Sequence, residues 1–260
     1  MDFKNRTAIV TGASSGIGAE FARRLAAGGA NLILVARRLD RLNELSAELT
    51  KRHGVKVAVV NLDLTSDSFL ETLISEVDKL GLEVDLLVNN AGFATSGGFE
   101  TENLSKALNE IDLNVKALVA LTHTFLPKML KKKNGAVINV ASTAAFQPVP
   151  TMAIYGATKA FVLSFSEALW AEFEDRGIRV LALCPGGTET EFFTVAGSNG
   201  TGSKRATPDQ VVEVAITELS AKKMKPSIVT GLRNKVLTLL PRLVSRAFMS
   251  KLSQKAMSRN

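Results

Sequence analysis

Short apolar runs rich in β-branched residues alternate along this chain with longer patterns of helical periodicity. The apolar runs lie at residues 7–10, 32–36, 57–61, 86–89, 136–140, 180–183 and 228–230. Helical patterns lie between them at residues 17–28, 41–53, 68–80, 104–130, 155–176 and 208–219. Strands and helices that alternate in this way form βαβ units around a parallel sheet covered on both faces. The alternation predicts a doubly wound α/β domain with a seven-stranded parallel sheet flanked by helices.

The size and composition of the chain agree with one large domain. Its 260 residues are 46% apolar and 22% charged, which is an ordinary globular composition. We assign residues 1–230 to this domain and residues 231–260 to a basic amphipathic C-terminal extension. Thr207, Pro208 and Gln210 offer an N-cap, a proline at the first helical position and a capping-box partner, so they predict a helix start there.

Positive charge is concentrated at the C-terminus. No Asp or Glu follows Glu218, whereas ten of the 32 Lys and Arg residues do, so the rest of the chain has 22 basic and 25 acidic residues. The body before this tail thus carries a net charge of about −3. A uniformly basic surface for nucleic acid is therefore excluded as an interpretation.

Targeting, disulfide and metal signals are weak in this sequence. The N-terminus carries charge where a signal peptide needs an apolar run, and no stretch is long and apolar enough to span a membrane, so we expect a cytoplasmic protein. Cys184, the single cysteine, has no partner for an internal disulfide. His53 and His123 lie far apart without ligand-spaced partners, and we expect no metal site.

A glycine-rich turn follows the first predicted strand and opens the first predicted helix. It reads Thr11-Gly12-Ala13-Ser14-Ser15-Gly16-Ile17-Gly18. Glycines at a strand-to-helix turn allow backbone N–H groups to approach a pyrophosphate at the helix N-terminus. The same turn without further signals also suits a tight connection that binds no ligand. With the predicted sheet, it favours a Rossmann-type domain.

The spacing of this turn and four further motifs resemble the classical short-chain dehydrogenase/reductase family. The motifs are Gly12-x-x-x-Gly16-x-Gly18, Asn89-Asn90-Ala91-Gly92, Asn114, Ser142 and Tyr155-Gly156-Ala157-Thr158-Lys159, and Pro185-Gly186 follows them. The resemblance covers nearly the whole chain to about residue 230. It implies an oxidoreductase that transfers a hydride between the nicotinamide of NADP(H) and a carbonyl or secondary alcohol carbon.

Tyr155 and Lys159 lie four residues apart, so a helix places them on one face. A nearby ammonium favours phenolate, and we expect it to lower the pKa of Tyr155 from about 10 toward about 7 for acid/base work. The resemblance implies that Ser142 hydrogen-bonds the substrate oxygen and that Lys159 also holds the cofactor ribose. It further implies that Asn114 positions a water in a proton relay, although its amide could instead satisfy a backbone group.

The second predicted strand ends at Arg37 and Arg38, without the acidic residue that binds a ribose 2′-hydroxyl. Arginine suits a phosphate, so we predict NADP(H), with Arg37 as the main reader of the 2′-phosphate and Arg38 either a second reader or solvated. By resemblance, Asp63 contacts the adenine. The remaining predicted cofactor contacts are Gly12, Ser14, Ser15, Gly16, Ile17, Gly18, Leu64, Asn89, Ala91, Gly92, Tyr155, Lys159, Pro185, Gly186, Thr188 and Thr190.

The identity of the substrate stays open at this point. Ala144, Phe146, Gln147, Phe192 and Phe193 are candidate contacts, and their side chains suggest a small molecule with an apolar part, such as a 3-oxoacyl thioester, a keto-steroid, a sugar or a xenobiotic carbonyl. The glycine- and serine-rich residues 197–203 predict a mobile loop beside the site. Family members commonly form dimers or tetramers. An NADP-binding redox sensor without turnover is the alternative function, yet such proteins tend to lose the tyrosine or lysine.

Apolar residues recur at helical spacing in the extension, with basic residues on other faces. The stripe contains Val236, Leu240, Leu243, Ala247 and Phe248, and Pro241 should kink or divide the helix. Packing on the chain's own body or on a second subunit is the commoner outcome for such a stripe. Docking on an anionic membrane surface or an acidic partner is the alternative.

Overall fold

Seven parallel strands form a single sheet in the computed structural model, which describes residues 1–196 and 205–257. The strands are β1 (Thr7–Thr11), β2 (Asn31–Ala36), β3 (Val57–Asn61), β4 (Leu86–Asn89), β5 (Gly135–Val140), β6 (Ile178–Cys184) and β7 (Ser227–Val229). Their order across the sheet is β3-β2-β1-β4-β5-β6-β7. The order reverses between β1 and β4, and in open α/β sheets ligands bind at this reversal. The predicted Rossmann-type sheet is confirmed.

Ten helices accompany the strands in the part of the chain that the structure describes. They are α1 (Gly16–Ala27), α2 (Leu39–His53), α3 (Phe69–Lys79), α4 (Leu104–Ile111), α5 (Leu118–Lys132), α6 (Ala153–Phe173), α7 (Phe192–Val195), α8 (Pro208–Ser220), α9 (Leu232–Leu237) and α10 (Arg246–Met257). None of them is long and apolar enough to cross a membrane. The predicted loop at residues 197–203 and the side chain of Phe193 lie outside the described part.

Alternate residues of the central strands pack into different core layers. In β1, Ala8 and Val10 contact the layer formed with α1, α2 and α8, whereas Ile9 contacts the layer formed with α3 and α5. Successive side chains of a strand point to opposite faces of the sheet, so a strand covered on both faces must be apolar throughout. Burial on both sides explains why the strands read as continuous apolar runs.

Local sequence signals set several helix ends. The capping box predicted at α8 is present, since Gln210 N donates to Thr207 Oγ1 at 3.3 Å and Thr207 N donates to Gln210 Oε1 at 3.1 Å. These two bonds satisfy N–H groups that a helix start leaves without partners. At its C-terminal end, α2 stops at Gly54, which takes the left-handed conformation with φ 67°.

The long fourth helix predicted over residues 104–130 is interrupted. Between α4 and α5 the backbone forms a π-helical turn at Asp112–Ala117. Such a turn inserts an extra residue into the helical ladder and is frequent at functional sites. Asn114, one of the predicted site residues, lies inside it. The periodicity of apolar residues is nearly the same on both sides, and for this reason the interruption is not visible in the sequence.

The C-terminal extension continues as separate short elements. Helix α9 is followed by a 3₁₀ turn at Leu240–Arg242 that contains Pro241, and α10 begins at Arg246. Proline lacks the N–H that a helix interior needs. The predicted division of this segment at Pro241 is confirmed.

Candidate functional site

The glycine turn closes tightly between β1 and α1. Gly12 and Gly16 have φ values of 64° and 55°, a region that favours glycine. A Cβ on Gly12 would lie 2.8 Å from Asn90 Nδ2, and one on Gly18 would lie 2.3 Å from the carbonyl oxygen of Gly12. The absent side chains bring the backbone close to the end of β4 and leave the first turn of α1 open toward the cleft.

Asn90, which is not among the predicted contacts, ties this turn to β4. Its Nδ2 donates to the carbonyl oxygens of Thr11 at 2.9 Å and of Gly12 at 3.3 Å. In return, Thr11 Oγ1 accepts from the backbone N–H groups of Asn90 at 2.9 Å and of Ala91 at 3.0 Å. These bonds fix the two strand ends at the reversal point of the sheet. The motif Asn-Asn-Ala-Gly was the available signal, but the sequence does not say which asparagine faces the turn.

The side chain of Asn89 points into the sheet and not into the cleft. Asn89 Nδ2 donates to Thr122 Oγ1 at 3.0 Å and to Asn139 Oδ1 at 2.9 Å, and Asn139 Nδ2 donates to Ser166 Oγ at 2.9 Å. Buried polar side chains need such partners because desolvation is otherwise costly. The side chain of Asn89 is therefore engaged in the core, and Ala91 and Asn90 line the cleft there. Asn89 as a cofactor contact stays a prediction.

Ser142, Tyr155 and Lys159 come together on the floor of the cleft, as predicted. Tyr155 and Lys159 lie one turn apart on α6, and Ser142 follows β5, with a hydrogen bond between the side chains of Ser142 and Tyr155. Lys159 Nζ donates to the carbonyl oxygen of Val140 at 2.8 Å and lies 5.8 Å from the centroid of the Tyr155 ring. All three functional residues are buried.

Burial is the largest influence on the pKa values of Tyr155 and Lys159. It raises the pKa of the Tyr155 phenol to about 12, although the hydrogen bond with Ser142 opposes the shift, and the carboxylate of Glu110 adds to it. Burial also lowers the pKa of Lys159 to about 8 against the opposing effect of Glu110. The expected fall of the Tyr155 pKa toward 7 is wrong for this chain, because desolvation disfavours the charged phenolate. Tyr155 is a protonated acid at neutral pH.

Asn114 uses its amide within the protein. Its Nδ2 donates to the carbonyl oxygen of Phe93 at 2.9 Å and to Thr158 Oγ1 at 3.1 Å, and its Oδ1 accepts from the Phe93 backbone N–H at 3.1 Å. Both N–H donors of the Asn114 amide are thus engaged. One of them satisfies a backbone carbonyl, as the sequence allowed for this amide. These bonds attach the π turn to the loop after β4 and to α6. The role of Asn114 in a proton relay stays a prediction.

The two arginines after β2 have different surroundings. Arg38 donates through Nε and Nη2 to Ser14 Oγ at 3.1 Å and through Nη2 to Ser15 Oγ at 2.7 Å. Arg37 is 74% exposed, and its Nη1 lies 3.8 Å from Asp63 Oδ2. The sequence favours Arg37 as the main phosphate reader, whereas in the structure Arg38 adjoins the glycine turn.

Asp63 lies at the same end of the cleft. Its Oδ1 accepts from Thr65 N at 2.9 Å and Thr65 Oγ1 at 2.7 Å. Burial would raise the pKa of this carboxyl, but the hydrogen bonds from Thr65 and the charge of Arg37 outweigh it and lower the pKa. Asp63 therefore presents a carboxylate to a bound ligand.

One cleft of about 1610 Å³ runs from the arginines past Tyr155 to the C-terminal extension. Most predicted contacts lie on its wall, whereas Gly18, Asn89 and Asn114 do not. The predicted substrate contacts Ala144, Phe146, Gln147 and Phe192 are on the wall too. Further wall residues that no sequence motif marks as cleft residues are Phe93, Lys106, Asn109, Leu113, Val149, Met152, Leu232, Leu237, Leu240, Met249 and Leu252. Five of these belong to the extension, so the extension encloses the cleft in addition to presenting a surface.

Metal ligands do not gather anywhere in residues 1–196 and 205–257: no group of three His, Cys, Asp or Glu side chains is placed to hold an ion. Cys184 is buried, and burial raises the pKa of its thiol to about 12. A buried thiol of this kind behaves as a small apolar side chain.

Comparison with known proteins agrees with this geometry. The family model of the short chain dehydrogenases matches residues 6–199. Sulfoacetaldehyde reductase 2 from Chromohalobacter salexigens is 39% identical over 203 residues, which are 77% of this chain and 78% of that protein. A short-chain dehydrogenase from Sphingobium yanoikuyae, solved in complex with NADPH, is 35% identical with a TM-score of 0.82, and the match covers 91% of this chain and 94% of that one. A 7β-hydroxysteroid dehydrogenase is 26% identical with a TM-score of 0.88 over 98% of this chain and 100% of that one.

Proposed function

The chain belongs to the short-chain dehydrogenases, and from that premise we propose that it is an NADP(H)-dependent oxidoreductase acting on a carbonyl or secondary alcohol carbon. The observation that carries the proposal is the meeting of Ser142, Tyr155 and Lys159 on the floor of a cleft at the carboxyl ends of the strands. Ligands of open α/β sheets bind at this edge. We propose Tyr155 as the acid and base of the reaction.

The residues at the other end of the cleft fit a dinucleotide phosphate. A glycine turn without Cβ atoms opens a helix, and the Arg38 guanidinium lies against Ser14 and Ser15 beside it. Helix N-termini and guanidinium groups both bind phosphate oxygens. Among the relatives, the Sphingobium yanoikuyae enzyme is described with NADPH bound. The chemistry that NADPH supplies when bound is a hydride.

The residues on the floor can transfer a proton to the substrate oxygen and stabilise the charges that result. The Ser142 hydroxyl can donate a hydrogen bond to a substrate oxygen and so stabilise negative charge that develops there. Tyr155 is protonated because its pKa lies at about 12, so its hydroxyl can give a proton to that same oxygen. The Lys159 ammonium then lies near the resulting phenolate and stabilises its charge. In the oxidative direction the phenolate takes the proton back.

Turnover separates this proposal from a redox-sensing protein that binds NADP(H) without reaction. The test is NADPH consumption by the full chain against a panel of aldehydes and ketones that includes short sulfonated aldehydes, keto-steroids, 3-oxoacyl thioesters, sugars and aromatic ketones. Tyr155→Phe is the matched blank, because the ring still packs while the transferable proton is lost. Consumption that depends on Tyr155 supports the enzyme. NADPH binding without consumption on any member of the panel would favour the sensor.

We propose a substrate with an apolar part. Beyond Tyr155 the cleft is lined by Phe146, Val149, Met152, Phe192, Leu237 and Leu240. Apolar walls with few polar groups bind ligands by burying apolar surface, while Ser142 and Tyr155 set the orientation of the reacting oxygen. Among the relatives, the hydroxysteroid named for one dehydrogenase is a more apolar substrate than the sulfoacetaldehyde named for the reductase, and it suits this wall better.

The C-terminal extension also supports a proposal, namely docking on an anionic membrane surface. Leu243 is 77% exposed, and Leu232, Val236 and Phe248 are exposed as well, so these four side chains are not covered by the chain's own body. No acidic residue follows Glu218. Amphipathic segments with this combination of apolar and basic residues bind anionic lipid surfaces. Leu232 is also a wall residue of the cleft. In a docked protein, the entrance of the cleft beside Leu232 would therefore face the membrane.

A second copy of the chain fits a different surface. Leu104, Leu108 and Ile111 of α4 and Phe161 of α6 are exposed large apolar residues on neighbouring helices. Exposed apolar patches of this kind mark protein contacts. We propose that the protein forms a homo-oligomer through α4 and α6, and light scattering of the full chain and of Leu108→Glu tests this by the loss of the oligomer.

A further inference from the structure

One carboxylate connects the two sides of the cleft at its cofactor end. Glu191 lies between β6 and α7. Its Oε2 accepts from Arg38 Nη1 at 2.7 Å, and its Oε1 accepts from Arg41 Nη1 at 2.7 Å. The hydrogen bonds from Arg38 and Arg41 lower the pKa of Glu191 to about 2, so the carboxylate is charged at every pH used in enzyme assays. We call these three residues the Glu191 bridge.

Arg38 contacts both Glu191 and the serines of the glycine turn. The same guanidinium donates to Ser14 Oγ and Ser15 Oγ, while its Nη1 is directed to Glu191. Two guanidinium groups therefore meet at one carboxylate, and one of them also contacts the two serine hydroxyls of the glycine turn. A phosphate monoester carries about −1.5 to −2 charges and three acceptor oxygens, so it suits this arrangement better than a single carboxylate.

The bridge also holds the segment after β6 in place. Thr190 packs on the glycine turn so closely that a Cβ on Gly16 would lie 2.8 Å from Thr190 Cγ2. The next residue, Glu191, then attaches this segment to the start of α2 through its two ion pairs. A ligand that takes Arg38 and Arg41 from Glu191 therefore frees the segment from α2, and a ligand that does not take them leaves it attached.

We propose that Glu191 is a specificity-determining residue for the cofactor: it takes the place of the 2′-phosphate on Arg38 and Arg41, and NADP(H) must displace it. The inference rests on the proposed NADP(H) function. NAD(H) has no 2′-phosphate and leaves the bridge closed. The carboxylate thus weakens NADP(H) binding without affecting NAD(H), and the 2′-phosphate is the part of the cofactor that releases the segment carrying Thr190.

The test compares dissociation constants for NADPH and NADH, measured by nicotinamide fluorescence with the full chain and with Glu191→Gln. Glutamine keeps the shape and removes the charge. Because exposed ion pairs are individually weak, we expect NADPH to bind about two- to tenfold more tightly to the variant and NADH to bind unchanged. Glu189→Gln, which removes the same charge from the same segment outside the bridge, should leave both constants unchanged.

Glu191→Asp refines the result, since a carboxylate shortened by one methylene cannot reach both arginines, and its NADPH affinity should lie between those of the other two chains. Weaker NADPH binding by Glu191→Gln, or an equal change for NADPH and NADH, would overturn the inference. A wild-type chain that binds NADPH without turning over any carbonyl compound would overturn the proposed activity alone. Absence of NADPH binding by the wild-type chain would overturn both.

Discussion

The floor of the cleft and its C-terminal wall are stabilised in opposite ways. On the floor, Ser142, Tyr155 and Lys159 are buried and hydrogen-bonded to neighbours that strands and helices fix. On the wall, which runs from α9 to α10, only Thr238, Met249 and Ser253 are buried among residues 232–255, whose burial the structure describes. Large apolar side chains of the same segment face solvent.

This difference assigns separate tasks to the two regions. Buried polar groups that are hydrogen-bonded to fixed neighbours keep one geometry, which suits proton transfer. Segments with few buried apolar contacts open at low free energy and are the usual source of lids and binding surfaces. We therefore expect the floor to determine the reaction and the wall to determine which substrates reach it.

The largest effect should come from the floor. Tyr155→Phe should retain NADPH binding and lower kcat by about 10²- to 10⁴-fold, which is the usual contribution of a positioned acid or base. Lys159→Met should weaken both binding and turnover. Steady-state kinetics with a chemistry-limited substrate, together with NADPH titration, provide the measurement. Near-native turnover by the phenylalanine variant would refute the role of Tyr155.

A smaller effect should distinguish the two arginines at the cofactor end. Arg38→Ala should raise the dissociation constant of NADPH about tenfold to hundredfold, because it removes a charge-assisted contact worth about 1.5–3 kcal/mol. Arg37→Ala is the matched control and should have the smaller effect, since the Arg37 side chain is 74% exposed whereas Arg38 hydrogen-bonds the serines of the glycine turn. The ratio of NADPH to NADH affinity is the readout. The assignment fails if that ratio is the same in Arg38→Ala as in the wild type.

The pH profile should show the charge of Lys159. Its pKa of about 8 lies below the ordinary value, so the ammonium is present below pH 8 and is lost as the pH rises through 8. The kcat/KM for carbonyl reduction should be flat below pH 8 and then fall by up to about tenfold per pH unit. Lys159→Arg keeps the charge and should abolish this limb. A limb at the same pH in the arginine variant would assign it to another group.

The smallest effect on the fold should come from the wall. Leu243→Asp should change the free energy of unfolding by less than about 0.5 kcal/mol, because the side chain is exposed. Its binding to anionic vesicles should nevertheless fall severalfold relative to wild type, and salt should weaken binding of the wild type as well.

Co-sedimentation with vesicles of phosphatidylserine and phosphatidylcholine measures this, with pure phosphatidylcholine as the control. Leu80→Asp serves as the matched variant, because Leu80 is an exposed apolar residue outside the extension. Wild-type protein that does not sediment with anionic vesicles at low salt would exclude membrane docking. Light scattering would then show whether a second copy covers the stripe.

The sequence by itself determined the features that depend on local periodicity and local chemistry. Seven apolar runs separated by helices specify a parallel sheet, because a strand buried on both faces has no polar side to show. Spacing placed Tyr155 and Lys159 on one helical face, and Thr207 with Gln210 fixed a helix start. Proline chemistry divided the extension at Pro241. Each of these depends on residues that are near neighbours in the chain.

Tertiary structure decided whatever depends on which groups meet across the sheet. The pKa of Tyr155 rises because α6 packs its phenol into a buried floor, an effect that outweighs the hydrogen bond with Ser142. Asn89 faces the core while Asn90 faces the turn, and Arg38 hydrogen-bonds the two serines of the glycine turn. Glu191 joins Arg38 across 153 positions of sequence. Desolvation and ion pairing are set by three-dimensional neighbours, and the chain brings those neighbours together only when the strands have taken their order.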